Sequence, residues 1–166
     1  MKVEYINPFI QSVIETFHSM MDCKVHHGKP FPSKDDGLSD NLIGIIGLSG
    51  TAQGNIAIKF PAKTARTIVG ELVGTTFEEV NSSVVDGVGE LVNIIAGNAK
   101  AKIEGHRISI SLPTVFRGGM HKLTAPTLSY LTIPFKSDKG DFEILISFRP
   151  TVIEKEEASH ESAYSR

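Results

Sequence analysis

Two pairs of β-rich runs, each closed by a short polar connection, limit what this chain can fold into more than any other feature. Residues 42–48 and 55–60 are joined by Ser49-Gly50-Thr51-Ala52-Gln53-Gly54, and residues 127–135 and 142–148 flank Lys136-Ser137-Asp138-Lys139-Gly140-Asp141. Connections this short make antiparallel neighbours, whereas a parallel crossover needs a dozen residues or more. Residues 108–115 alternate Ile and Ser before Leu112, the pattern of a half-buried strand. Residues 23–29 suit a short edge strand, since Pro30 and Pro32 cannot donate to a ladder. That makes about six strands in two hairpin-rich halves.

Three helices are expected around them. The first covers residues 8–21, with Asn7 as N-cap, Pro8 at the first helical position and an apolar stripe of Phe9, Ile10, Val13, Phe17, Met20 and Met21. The second runs over 62–73 and ends at Gly74. A third, over 78–103, would be almost 40 Å long at ~1.5 Å per residue. It has room for a break at Asn81-Ser82-Ser83, where Ser82 or Ser83 can act as a fresh N-cap. The order α-β-β-β-α-α-β-β-β favours an α+β fold, with helices layered on an antiparallel sheet. Residues 1–153 read as one domain, and the charged, aperiodic stretch 154–166 as a frayed tail.

Composition removes several classes of function. The formal net charge is −2, from 17 basic and 19 acidic residues, so no basic excess invites nucleic acid or an anionic membrane. No run approaches the ~20 apolar residues that cross a bilayer, and the first residues contain no apolar stretch of the signal-peptide kind. A single cysteine, Cys23, allows no internal disulfide. A reducing cytoplasmic setting is expected. None of the six histidines has ligand spacing, and adjacent His26 and His27 point to opposite sides of a strand. Neither a bound metal nor a cofactor is expected. There is no Gly-Lys-Ser/Thr phosphate loop and no Gly-x-Ser-x-Gly elbow.

The third helix carries the chemistry. On a helical wheel Asp86, Glu90, Asn93 and Gly97 share one face, while Val84, Val88, Leu91, Ile95 and Ala99 gather opposite. Asn prefers caps and turns to a mid-helix position. Gly87, Gly89 and Gly97 each cost ~1 kcal/mol relative to Ala inside a helix. Either another element of the chain packs closely there, or a partner's surface approaches.

The segment from Asp86 to Lys100 resembles the signature helix of the CheC/CheX/FliY group of chemotaxis proteins. That signature is Asp or Ser, three residues, Glu, two residues, Asn, met here by Asp86, Glu90 and Asn93, with Pro113 as the downstream proline. The order of elements over about residues 4–150 is similar to that group as well. A single copy of the signature, together with the chain's length, points to CheX rather than CheC.

The resemblance implies a CheC-like fold and a phosphatase acting on the aspartyl phosphate of a phosphorylated CheY-like receiver. In that reading Asn93 orients the attacking water, Glu90 pairs with a receiver lysine, and Asp86 and Gly97 extend the contact. The expected Mg²⁺ belongs to the receiver. The alternative is a non-catalytic docking module for a response regulator or a flagellar switch component. A homodimer is also implied, with residues 42–48 and 127–135 as expected exposed sheet edges.

Overall fold

The computed structural model describes residues 1–34, 37, 39–119 and 129–151. The two hairpins form as expected. β3 (Asn41–Gly50) pairs with β4 (Ala52–Pro61), and β7 (Leu131–Ser137) pairs with β8 (Phe142–Pro150), all antiparallel. β4 also pairs with β8, so the hairpins join into one sheet of order β1-β7-β8-β4-β3-β5. β1 is Val25–His27, and the two-residue β2 (Phe31–Pro32) also pairs with β7. β5 (Ile108–Ile110) and β6 (Thr114–Arg117) pair with opposite ends of β3.

Among the described residues the sheet therefore has eight strands rather than about six. β2 is additional, and the expected strand over 108–115 is two strands, because Pro113 interrupts the ladder. Both expected edges are corrected. β3 is flanked by β4 on one side and by β5 and β6 on the other, while β7 lies between β8 and the β1–β2 pair. β1–β2 and β5–β6 are the outer strands. Residues 127–128 and the tail 154–166 lie outside the described residues.

Alternation along the strands supplies a continuous apolar face for three helices. Leu42, Ile46, Ile56, Ile58, Phe60, Ile133, Phe135, Phe142, Ile144 and Ile146 are buried in one core with residues of all three helices. Phe142 is its centre: Phe17 stacks on it with ring centroids 4.8 Å apart and Phe135 at 5.2 Å. Offset pairs of this kind add to the stabilisation from burial alone. Ile43, Ala57, Tyr130 and Leu145 form a smaller cluster apart from this core.

α1 runs over Val3–Met21, five residues longer at its start than expected, with Lys2 rather than Asn7 at the N-cap. Pro8 lies inside it and forfeits only the bond its N–H would make to the Glu4 carbonyl. The added turn is held by tertiary packing. Ile6 is buried, and the Tyr5 ring meets Phe148 at 5.0 Å and His106 at 5.8 Å. α2 (Ala62–Val73) ends as expected at Gly74, whose left-handed φ of 73° lets its N–H reach the Gly70 carbonyl.

α3 (Ser82–Lys102) is shorter than expected, roughly 30 Å. Its cap is Asn81, whose Oδ1 accepts from the Val84 N–H at 3.1 Å. Glu78 and Glu79 precede it outside the helix. An Asn side chain at the cap satisfies a free N–H of the first turn, so the helix starts there rather than at Glu78.

Candidate functional site on the third helix

α3 is gripped by four elements, and each grip follows from particular residues. Beneath it, Gly44 of β3 admits Val88 and Val92: a Cβ at Gly44 would stand 3.1 Å from the Cγ1 of each. α1 is tied to it by the Ser12 hydroxyl, which donates to the Ile95 carbonyl at 2.7 Å, and by Asn98, whose Nδ2 donates to Thr16 at 3.3 Å. Lys102 adds an ion pair with Glu15 at 3.0 Å. α2 meets it at Gly87, where a Cβ would run into Val69, with Cγ2 only 2.8 Å away. β6 and its approach cover Gly89: Val115 and Pro113 would lie 3.4 and 3.7 Å from a Cβ there.

The remaining side faces solvent. Asp86 and Glu90 are exposed, and Asn93 and Gly97 are half-buried. The structure thus brings together all four residues expected from the wheel. Residues three and four apart on a helix have Cβ atoms about 5–6 Å from each other, so Glu90 and Asn93 stand side by side. Among the described residues, no hydrogen bond or ion pair engages the Asp86 or Glu90 carboxylate or the Asn93 carboxamide. Three polar groups are therefore held on a rigid helix without a partner among the described residues.

The three glycines divide between the two expected explanations. Gly87 serves close packing inside the chain, and a Cβ added at Gly89 would make only ordinary contact with Val115 and Pro113. At Gly97 a Cβ would meet nothing within 4 Å. Only there does the missing side chain lower the relief of the exposed face without serving a neighbour. Pro113 proves to be a spatial neighbour of the helix through Gly89, although 24 residues separate the two in sequence. Sequence reasoning did not single out Leu112, which is 87% exposed. The alternating Ile-Ser pattern makes it look like a strand residue, and the proline after it was the available sign that the pattern stops.

This face can do limited chemistry alone. A helix surface is convex, so it cannot enclose a small molecule as a cleft does. Among the described residues no group of three or more His, Cys, Asp or Glu could hold a metal ion. No described helix is long and apolar enough to cross a membrane. A carboxamide offers both an acceptor and donors, and a carboxylate accepts only. Such a pair can complete a reacting centre that another molecule brings to it.

Comparisons with known proteins place the chain among chemotaxis proteins of one family. Residues 42–136 match the family model of the chemotaxis phosphatase CheX. The CheY-P phosphatase CheX of Thermotoga maritima is 28% identical over 121 residues, covering 71% of this chain and 78% of that protein. A CheC-like superfamily protein from Shewanella sp. PV-4 superposes with a TM-score of 0.78 at 28% identity, over 90% of this chain and 99% of the other. The complex of CheX with CheY, BeF₃ and Mg²⁺ from Borrelia burgdorferi matches with a TM-score of 0.76 at 25% identity, over 89% and 99% of the chains.

Proposed function

The chain belongs to the CheX family of chemotaxis phosphatases, and from that premise we propose that it hastens hydrolysis of the aspartyl phosphate on a CheY-type receiver. The observation that carries the reading is the exposed Glu90–Asn93 pair, one turn apart on a braced helix and unpartnered among the described residues. A phosphatase of an acyl phosphate needs little covalent machinery. Water attacks phosphorus, the bond from phosphorus to the aspartyl oxygen breaks with its electron pair, and inorganic phosphate and a free carboxylate result. Aligning one water opposite the leaving oxygen is the main task, and holding reactants in line is worth several kcal/mol of barrier.

Asn93 fits that task. Its carbonyl oxygen accepts from the water while the NH₂ donates to a phosphoryl oxygen or a receiver carbonyl. Glu90 fits a different one, pairing with a receiver lysine so that the amide enters at a fixed register. Asp86 extends the same acidic stripe one turn back, and Gly97 leaves the far end low enough for close approach. The Mg²⁺ belongs to the receiver, where it neutralises phosphoryl charge; this chain's face holds the water and the register. Self-association, which the resemblance also implies, has the outer strands β1–β2 and β5–β6 available to it.

Two substitutions separate these roles. Asn93→Ala should remove the accelerated phosphate loss while binding to a beryllofluoride-activated receiver stays within a few-fold of wild type. Loss of binding together with rate would make Asn93 a docking residue instead. Glu90→Ala should raise the receiver concentration needed for half-maximal rate, and an unchanged concentration dependence would remove the pairing role.

A further inference from the structure

We infer that Leu112 is an apolar anchor for the phosphorylated receiver, standing beside the Glu90–Asn93 face. The inference rests on the proposed receiver-docking role of that face and adds the residue that gives the contact its apolar part. Its basis is a bulge in the outer strand. Ile110 pairs with Leu48 and Thr114 with Ile45, so three residues, 111–113, stand opposite two, 46–47. One extra residue on one strand bends it and re-aims a side chain, and such bulges gather at sheet edges and beside active sites.

The bulge is tied down at both ends. The Ser111 N–H donates to the Gly47 carbonyl at 3.0 Å, and the Gly47 N–H donates to Ser111 Oγ at 2.9 Å. The same hydroxyl donates to the Leu112 carbonyl at 2.9 Å. On the other side Pro113 lies against Gly89, one turn before Asn93. Leu112 is thus a fixed projection rather than part of a loose loop. It is more exposed than any other large apolar residue described, at 87% against 67% for the next, Val3.

An isolated exposed leucine needs no explanation. This one is held rigid by four contacts and adjoins a face whose polar groups have no partner among the described residues. An aliphatic side chain presented rigidly can anchor a binding surface, because little conformational freedom is then lost on association. The face it adjoins is polar and convex, so it supplies alignment with little apolar area. The occupant is therefore the receiver, with an apolar patch beside its phosphorylated aspartate, and Leu112 acts in binding, away from the reacting atoms.

The test measures binding of the full chain to a CheY-type receiver activated with beryllofluoride and Mg²⁺, alongside turnover at saturating phosphorylated receiver. Leu112→Ser should weaken binding about tenfold, as expected for one leucine leaving an apolar contact. Its turnover at saturation should equal wild type, and Leu112→Met should bind almost as wild type does. Unchanged binding by Leu112→Ser would overturn the assignment. So would a shift in oligomeric state by that variant, which would place the leucine between copies of the chain. Wild-type binding without turnover, still weakened by Leu112→Ser, would sustain the anchor and remove the catalytic reading. A wild-type chain that binds no activated receiver would overturn both.

Discussion

Placing one methyl group at two positions of α3 should have opposite consequences for stability. Gly→Ala inside a helix gains about 0.5–1 kcal/mol from propensity, because the alanine backbone has fewer unfolded conformations to lose. At Gly97 nothing stands within 4 Å of the new Cβ, so that gain is unopposed. For a chain of this length it raises the melting temperature by about 1–4 °C. At Gly87 the same methyl would enter Val69, a fully buried β-branched residue with little freedom to turn away. Forcing an extra carbon into a packed contact costs about 1–3 kcal/mol. The propensity gain is common to both variants and cancels in the comparison, so Gly97→Ala should exceed Gly87→Ala in stability by about 1–3 kcal/mol. Urea unfolding, with midpoints compared at equal slopes, measures the difference. Equal midpoints would refute the division of labour among the glycines. Gly97→Ala should also bind the activated receiver more weakly despite its higher stability. A variant that gained both stability and receiver affinity would show that low relief at this position serves no partner.

Two further outcomes follow from local chemistry. Asn81→Ala removes the side chain that accepts from the Val84 N–H, and should cost about 1 kcal/mol in urea unfolding, with Asn81→Ser recovering most of it. Cys23 is buried, and burial together with its hydrogen bond to Asp138 raises the thiol's pKa above the usual range. The folded chain thus keeps a proton that the unfolded chain gives up, so this contribution to stability is whole below the ordinary thiol pKa of about 8.5 and is lost as pH rises from there through the raised value of the folded chain. Stability measured from neutral to alkaline pH should therefore fall more steeply for wild type than for Cys23→Ala; parallel profiles would refute the linkage.

How far the sequence reveals this molecule depends on whether local or distant contacts decide each feature. The two hairpins are legible because a short polar connection and its flanking apolar runs decide the pairing locally. The solvent-facing stripe of α3 is legible for a similar reason: helical periodicity alone sorts Glu90 and Asn93 from Leu91 and Ile95. The start of α1 is not, because Asn7-Pro8 carries a good local start signal that is outweighed by Tyr5 and Ile6 packing onto distant elements. The N-terminus of α3 was legible only to within a few residues, since Asn81, Ser82 and Ser83 are all competent caps and only the register of the helix chooses among them. Which strands lie outermost was illegible, because β3 and β7 gain their second neighbours from short strands with little pattern of their own. Leu112 illustrates the same limit. Its exposure depends on a bulge fixed by Gly47 and Gly89, neither of which is near it in sequence.

The central claim is that this chain acts as a catalyst through the Asn93 carboxamide. Phosphate release from a phosphorylated CheY-type receiver held in large molar excess over the chain tests it most directly. The account predicts that each wild-type molecule clears many receivers, whereas Asn93→Ala leaves phosphate to depart at the receiver's own pace. Release by Asn93→Ala at the wild-type rate would contradict it.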